Sequence, residues 1–439
     1  MILQRAGREQ IVFWLVFFTT LIAGLAIQKL VLPVFLPHLH VGHGLLKGGD
    51  SIGFHFMASE LADQIRINGW QAWSLRPNGH APAGIAAATY AITGVSEPWI
   101  LIPINAALFA LGAASIFRIG ILLTGNNSAA FAAVVPFAIF PSAAVIYADL
   151  HKDIWACAGS LLIISVWARL EAAEVLRISD AIRFAVLCLA GALLVWVVRP
   201  YFVKVLLFVS IFVLIVRVLA EVIWRRWRPG TFGWKKLAAF VFCLVMLAVV
   251  MNMPTQASEF SDQPTVAKTI EWVAVNTSGS IIDDSLARIA LAREGFFLTY
   301  PDAKSFIDRD VTFRSVGELV RYIPRALQIG LFAPFPPMWF AENVSAAARI
   351  MRTISGFEMA ISYVLLIGVL LLIPLTSGRR LFVAMIAITS CALILIIMAM
   401  GIPNVGTLNR MRYGFLMLPV GLGAAGWTLF IDRWRAYKA

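Results

Sequence analysis

The sequence predicts an all-α, polytopic membrane helix bundle with about ten transmembrane helices. Hydrophobic residues make up 60% of the 439 positions, charged residues make up only 14%, and the mean hydropathy is +0.83. A soluble domain carries about a quarter charged residues. Apolar runs of about 17–25 residues recur along the chain, and this length suits a hydrocarbon core about 30 Å thick.

Ten of these runs are predicted to cross the membrane. They lie at 11–33, 98–122, 128–147, 154–170, 182–198, 202–220, 237–254, 357–375, 381–400 and 414–431. The first run is longer than the core of a signal peptide and is interpreted as a retained helix. The spans divide the chain into an N-terminal transmembrane module (1–254), a large loop (255–356) and C-terminal transmembrane helices (357–439).

The distribution of basic residues predicts the orientation. Short loops on one side carry clusters of arginine and lysine, at 5–8, 169–183, 225–236, 379–380 and 433–438. The positive-inside rule places this side, with both termini, in the cytoplasm. The net charge of +12 is then explained by topology and by anionic lipid headgroups rather than by nucleic acid. The arginine-rich loops, and the four cysteines confined to apolar runs, are compatible with a bacterial inner membrane.

Two large loops face the outer side, at 34–97 and 255–356, and both are predicted to contain amphipathic helices in the membrane interface. Apolar residues recur at helical spacing in the second loop, at Val316, Leu319, Val320, Ile323, Leu327 and Leu331. Arginines and a glutamate take the opposite face of this helix. Anchoring in the headgroup layer and a groove for a lipid substrate are both open interpretations of this segment.

Asp50 is the candidate catalytic residue. It follows Gly48 and Gly49 and opens a mostly apolar helix at the outer membrane surface. An aspartate held there would be partly desolvated, which suits a general base. The alternative is that Asp50 only caps this helix.

Further polar groups cluster in the short outer loops. Candidates for substrate binding are His55, Asp149, His151, Lys152, Asp153, Arg199, Tyr201, Arg410 and Arg412. The positive-inside rule disfavours arginines on the outer side, so these arginines need another explanation. Phosphate binding is one. Simple helix capping and snorkelling of long side chains are the competing explanations.

Cofactor motifs are weak in this sequence. All six histidines are predicted to lie on the outer side, and His38, His40 and His43 could bind a divalent metal ion. Their spacing fits no strong motif, so surface histidines are the preferred interpretation and no metal site is assigned. No phosphate-binding loop or dinucleotide fingerprint occurs, and a nucleotide cofactor is therefore not expected.

The layout resembles the GT-C class of membrane glycosyltransferases, which includes protein O-mannosyltransferases and aminoarabinose transferases. The similar segments are Gly49-Asp50 with the helix at 54–65, His80 through Tyr90 to Gly94 and Asn105, Phe140-Pro141 with the turn at 149–153, and Arg410 through Tyr413 to Pro419. Two features depart from the class: the pair Asp50-Ser51, where a second acid is common, and the large loop at 255–356.

The resemblance implies an inverting transfer of a sugar from a polyprenyl-phosphate donor on the outer face. Asp50 would deprotonate an acceptor on a lipid, a glycan or a protein. Lys152, Arg199, Arg410 and Arg412 would stabilise the phosphate leaving group. The alternatives are a polysaccharide polymerase or ligase of the O-antigen kind and a flippase or transporter for lipid-linked sugars.

Overall fold

The computed structural model confirms the all-α polytopic fold. It describes residues 2–225, 233–255, 281–301, 303–340, 346–376 and 378–438. Within these ranges, nine helices are long and apolar enough to cross a membrane. The chain is therefore a multi-pass integral membrane protein.

Sixteen α-helices, numbered in chain order, make up the described part of the chain. They are α1 (Ile2–Ala26), α2 (Ser51–Asn68), α3 (Ala81–Thr93), α4 (Ile102–Thr124), α5 (Asn127–Ile139), α6 (Ser142–Tyr147), α7 (Asp153–Ala172), α8 (Ile178–Val198), α9 (Pro200–Arg225), α10 (Trp234–Met251), α11 (Ile281–Thr299), α12 (Val316–Phe332), α13 (Ala346–Leu372), α14 (Arg379–Gly401), α15 (Val405–Met411) and α16 (Tyr413–Lys438). A π-helical segment, Ile27–Phe35, continues α1.

The third predicted span, 128–147, is broken into α5 and α6. Phe140 is extended because the residue before a proline avoids the helical conformation, and Pro141 starts the next helix. The turn before α5 lies at the same end of the bundle as the start of α14, where Gly125 meets the Arg380 guanidinium. Together α5 and α6 carry the chain to the opposite end of the bundle, so they complete the crossing that was predicted as one span.

Helices α4, α7, α14 and α16 form the centre of the bundle. Helix α7 packs against α4, α8 and α14, whereas α16 packs against α5, α13 and α14. Small residues such as Gly112, Gly120 and Ala133 line the contact between α4 and α5. Membrane helices associate through such small residues because their backbones can then approach closely.

The contact between α13 and α16 depends most strongly on glycine. Gly368 of α13 lies directly against the backbone of Gly423 and Gly426 in α16. A side chain added at Gly423 would overlap the carbonyl oxygen of Leu365. The two helices therefore touch backbone to backbone.

The two outer loops contain helices, as predicted. Helices α2 and α3 form a hairpin whose core contains Phe54, Leu61, Ile65 and Tyr90. Helix α12 packs on α14 through Tyr322, Ala326, Ile329 and Gly330 and leaves other apolar side chains exposed, at Val316, Val320 and Ile323.

Helix α13 begins earlier than the predicted residue 357. Glu358 would be the second residue of the predicted span 357–375, but in the structure it lies well inside α13 and is buried. Its Oε1 accepts a hydrogen bond of 2.6 Å from the Ser142 backbone N–H. This acid thus caps the first turn of α6, where unpaired N–H groups attract a carboxylate.

We expect Gly423→Leu to weaken the packing of α13 against α16. The leucine would force the two backbones apart, and overpacking of this kind costs about 1–3 kcal/mol. Thermal unfolding of the purified protein in detergent should show a lower melting temperature. Gly7→Ala in α1 is the matched control, because a Cβ there meets nothing within 4 Å. Equal melting temperatures for the two variants would contradict the prediction.

Candidate active site

One end of the bundle brings four distant segments of the chain together. Asp50 stands at the start of α2, and Asp153 starts α7 after the turn that follows α6. Arg199 ends α8, and Arg410 lies in α15. We call these four residues the charge cluster. Four of the residues predicted from separate loops therefore meet at one site.

The Asp153 carboxylate is the centre of the charge cluster. Its Oδ1 is paired with Nη2 of Arg199, and its Oδ2 lies 2.8 Å from Nε of Arg410. The side chains of Asp153 and Arg199 are 2% and 3% exposed. Charges this deeply buried are stable only when they are paired, so the two arginines neutralise the acid.

Asp50 joins the charge cluster through Arg410. Its Oδ2 accepts a hydrogen bond of 3.0 Å from Arg410 Nη2, and its side chain is 43% exposed. Asp50 occupies the N-cap position of α2, but its carboxylate makes no capping bond there. Burial alone would lower the pKa of Arg410, but Asp153 and Asp50 outweigh it and raise the pKa.

The Asp149 side chain organises the turn before α7. Its Oδ2 accepts a hydrogen bond of 2.9 Å from the Ser51 hydroxyl, and its Oδ1 accepts one of 2.8 Å from the Leu150 N–H. The Nε2 atom of His151 lies 3.6 Å from Oδ2. Because Ser51 follows Asp50, this contact fixes the first outer loop against the turn.

Two buried amides hold the backbone of the same turn. Asn105 of α4 donates from Nδ2 to the carbonyl oxygens of Tyr147 and Asp149, at 3.0 and 3.1 Å. Gln28, in the π-helical segment after α1, donates to the Ala148 carbonyl at 2.7 Å. Sequence reasoning missed Gln28, although a lone amide inside an apolar span is itself a signal.

Burial shapes the ionisation of His151 and Lys152. Burial lowers the pKa of His151, an effect that the neighbouring Asp149 opposes. The imidazole is therefore neutral near pH 7. Burial and the nearby Arg199 lower the pKa of Lys152, whereas Asp153 and Asp50 act in the opposite direction.

Three predicted site residues lie apart from the charge cluster. His55 is buried in α2 and its Nδ1 lies 3.1 Å from the Tyr90 hydroxyl. Tyr201 is 58% exposed at the start of α9. Arg412 is fully buried and donates to the carbonyl oxygens at the end of α12, at Ile329, Gly330 and Ala333. Burial lowers the pKa of Arg412 to about 9, so its guanidinium keeps its charge near pH 7.

A cavity of about 410 Å³ opens beside the charge cluster. Its wall includes Asp149, His151 and Arg410 at one end. Apolar and small residues from α6, α13 and α15 form much of the remainder, among them Val145, Ile146, Met351, Ser355 and Val405. This volume lies in the range of about 300–1,000 Å³ that is usual for small-molecule binding sites.

The predicted histidine group does not converge on one point. His40 Nε2 accepts a hydrogen bond of 3.0 Å from the Gly44 N–H, whereas His43 Nδ1 lies 3.1 Å from a Glu97 oxygen. No group of three or more histidine, cysteine or acidic side chains within the described ranges is arranged to hold a metal ion.

Two solved structures share this architecture. The archaeal oligosaccharyltransferase AglB from Archaeoglobus fulgidus, in complex with an inhibitory peptide and a dolichol-phosphate, matches with a TM-score of 0.51, 13% sequence identity and coverage of 97% of this chain and 51% of that chain. The oligosaccharyltransferase of the same organism in its apo form gives a TM-score of 0.52. The sequence identity is again 13%, and the match covers 97% of this chain and 51% of that chain.

This likeness concerns the fold. The chain spans about half the length of the oligosaccharyltransferases that it matches. No protein-family profile and no curated protein sequence matches the chain. The predicted resemblance to the GT-C class is confirmed at the level of the fold.

We expect Asp153→Asn to destabilise the protein strongly. The variant leaves Arg199 and Arg410 without their shared carboxylate, and breaking a buried ion pair costs about 3–5 kcal/mol. A lower melting temperature in detergent is the measurement. Asp63→Asn is the control, because Asp63 is 65% exposed and pairs only with a neighbour on its own helix. If both variants melt like the wild type, Asp153 does not hold the site together.

His151 makes stability depend on pH. Its folded-state pKa is lowered, so the unfolded chain takes up a proton first as the pH falls below about 6.5. The folded state is therefore penalised in acid. We expect the melting temperature of His151→Gln to fall less than that of the wild type between about pH 7 and about pH 5.

The exposed His38 provides the control for this measurement. His38→Gln should keep the pH dependence of the wild type. A pH dependence of His151→Gln identical to that of the wild type would show that His151 is not the acid-sensitive group.

Proposed function

We propose that this protein is a membrane glycosyltransferase that moves a sugar from a polyprenyl-phosphate donor to an acceptor on the outer face of the membrane. The placement of Asp50 carries the proposal. Its carboxylate is half-exposed, is not used by its own helix, and is held by Arg410 beside the cavity. The fold likeness to oligosaccharyltransferases, one of them in complex with a dolichol-phosphate, supports the same reaction class.

Asp50 acts as the general base in this reaction. Its exposed carboxylate takes the proton from an acceptor hydroxyl or amine. The acceptor atom then forms a bond to the anomeric carbon of the sugar, from the side opposite the phosphate. Arg410 keeps the Asp50 carboxylate in one position through their 3.0 Å hydrogen bond. Such positioning lowers the barrier because the base and the acceptor need no further ordering.

The bond between the anomeric carbon and the phosphate oxygen breaks in the same step. The sugar inverts at that carbon, and the lipid phosphate leaves with the electron pair. Negative charge develops on the leaving oxygen and is stabilised by preorganised cations in a site shielded from water. We assign this role to Lys152. The residue immediately precedes Asp153, and the charges of Asp50, Asp153 and Arg199 are close enough to affect its pKa.

The proposed orientation follows from the charges. The basic loops at 169–183 and 379–380 lie at the end of the bundle opposite the charge cluster, and the positive-inside rule makes that end cytoplasmic. The charge cluster then faces the outer side. We infer a bacterial inner membrane with both termini of this sequence in the cytoplasm, and a glycan, lipid or protein as acceptor.

The polymerase or ligase alternative also uses a polyprenyl-linked donor and outer-face arginines. It places the chemistry in the late loop, 255–356, whereas Asp50 belongs to the first loop. The flippase alternative requires charges that face a central path through the membrane. Within the described residues, the charges of the spans are mostly paired near the ends of helices, as for Asp153 and Arg199 or Glu171 and Arg217.

We expect Asp50→Asn to abolish transfer while the protein remains folded. The amide cannot accept the proton, and loss of a general base slows a reaction by about 10²–10⁴-fold. Mass spectrometry of lipid-linked donors and surface glycans in native membranes is the measurement. The mature glycan should lack one sugar, and the donor should accumulate.

Asp63→Asn is the matched control, because it removes a carboxylate from the exposed face of the same helix. It should leave the glycans unchanged at equal protein level. Unchanged glycans and donor in Asp50→Asn would refute the role of Asp50 as the base. The polymerase and transporter alternatives would then be tested next.

A further inference from the structure

The sequence points to four cations for the phosphate of the donor, yet most of them are already engaged. Arg199 and Arg410 neutralise Asp153, and Arg410 also holds Asp50. Arg412 donates from both terminal nitrogens to backbone carbonyl oxygens. These guanidiniums position the site. Lys152, the fourth cation, does not line the cavity beside the charge cluster, so a phosphate held in that cavity requires a further cationic ligand.

We propose that the 410 Å³ cavity binds the phosphate of a polyprenyl lipid and that Arg352 is its principal ligand. The proposal deepens the proposed function and rests on it, because it assigns the donor to a particular cavity and residue. Sequence reasoning missed Arg352, since it precedes the predicted span and no motif marks it.

Arg352 has the features of an unoccupied anion ligand. Its side chain lines the cavity, and its Nη1 is buried without a hydrogen-bond partner among the described residues. A buried donor without a partner is costly, and a bound acceptor would satisfy it. A guanidinium matches phosphate oxygens in geometry as well as in charge.

More cations than carboxylates line the cavity. Lys47 from the first large loop joins Arg352 there, and Arg410 is left out of this comparison because it is already paired with Asp153 and Asp50. Asp149 is the one carboxylate among the lining residues, and the neighbouring His151 is neutral near pH 7. The surplus of cations favours a phosphate group over an uncharged headgroup.

Helix α13 is both a wall of this cavity and a membrane span, Ala348–Leu372. One face of its first turns lines the cavity, through Ala348, Met351, Arg352 and Ser355. Phe357, Ile361 and Val364 lie on the opposite face of the same helix and are 60%, 51% and 57% exposed. Arg352 therefore stands in the first turns of a span whose other face meets hydrocarbon, which is the level in the membrane where a lipid phosphate lies.

The far end of the cavity is the charge cluster. Arg410 lines the cavity and binds Asp50, so a sugar attached to a phosphate at Arg352 would extend toward the proposed base. Asn409 of α15 donates to the Ser355 hydroxyl at 3.0 Å. This bond joins α15, which carries Arg410, to α13, which carries Arg352.

The experiment measures binding of a fluorescent polyprenyl phosphate to the purified full chain in detergent micelles. Arg352→Ala should weaken binding by about tenfold to a hundredfold, which is the range for loss of a charge-assisted hydrogen bond. Arg352→Lys should give an intermediate affinity, because it keeps the charge but loses the planar fork. Arg349→Ala is the matched control, since this exposed arginine of α13 does not line the cavity.

Competitors identify the ligand. Unlabelled polyprenyl phosphate should displace the probe, whereas uncharged polyprenol should compete weakly and equally in wild type and Arg352→Ala. Displacement by inorganic phosphate at the same concentration as the lipid would show a site for a free anion and overturn the lipid assignment. Equal affinities of wild type, Arg352→Ala and Arg349→Ala would overturn the role of Arg352, as would a wild type that does not bind the probe.

The binding assay is independent of sugar transfer. Arg352→Gln, which keeps much of the side-chain volume, replaces the alanine variant if that variant has a lowered melting temperature. Asp50→Asn should bind the probe like the wild type. If glycans are unchanged in Asp50→Asn but Arg352→Ala loses the lipid, the role of Asp50 as the base is refuted and the lipid-phosphate site stands.

Discussion

The ion pairs of the buried Asp153 carboxylate are the interaction on which one end of this helix bundle depends. The carboxylate neutralises Arg199 at the end of α8 and Arg410 in α15, and it does so with a side chain that is 2% exposed. An isolated charge in such a place costs several kcal/mol, so the three groups are stable only together. Arg410 extends the arrangement to Asp50. One acid thus joins the first, second, third and last outer loops.

A second constraint explains why several arginines lie among the loops predicted to face the outer side. The last carbonyl groups of a helix have no partner within it, and in a membrane they cannot be left without one. Arg76 donates to Trp196 and Val197 at the end of α8, and Arg293 donates to Met400 at the end of α14. Arg412 does the same for α12. These outer arginines stabilise helix ends, which carry partial negative charge.

Composition and charge were sufficient to predict the fold class. The thickness of the hydrocarbon core sets the length of a spanning helix, and lipid offers no hydrogen-bond partner to backbone groups that the helix does not pair itself. Each span carries the chain from one end of the bundle to the other. The order of the predicted spans therefore places Asp50, Asp153, Arg199 and Arg410 at the same end. Local sequence patterns could not reveal which arginines would form ion pairs or hydrogen bonds within the protein. Arg410 and Arg412 both flank Met411, yet Arg412, at the end of α15, donates to the carbonyl oxygens at the end of α12 instead of joining the charge cluster.

Other features depend on contacts between distant residues. The break at Phe140 was visible as a proline, but its effect on the span depends on Glu358, which lies 216 positions after Ser142 and caps α6 through it. Gln28 is a lone amide in an apolar run, and only the fold shows that it holds the Ala148 carbonyl. Arg352 carries no motif, and its importance comes from the cavity that it lines.

The hydrogen bond between Asp50 and Arg410 also has a consequence for the order of assembly in the cell. The two residues are 360 positions apart, so the carboxylate is translated long before its partner. During synthesis, the segments that carry Asp50 and Asp153 would leave the ribosome long before the segment that carries Arg410. The charge cluster can therefore close only after nearly every span has been inserted, and a nascent chain interrupted before residue 410 would carry the acid without the group that orients it.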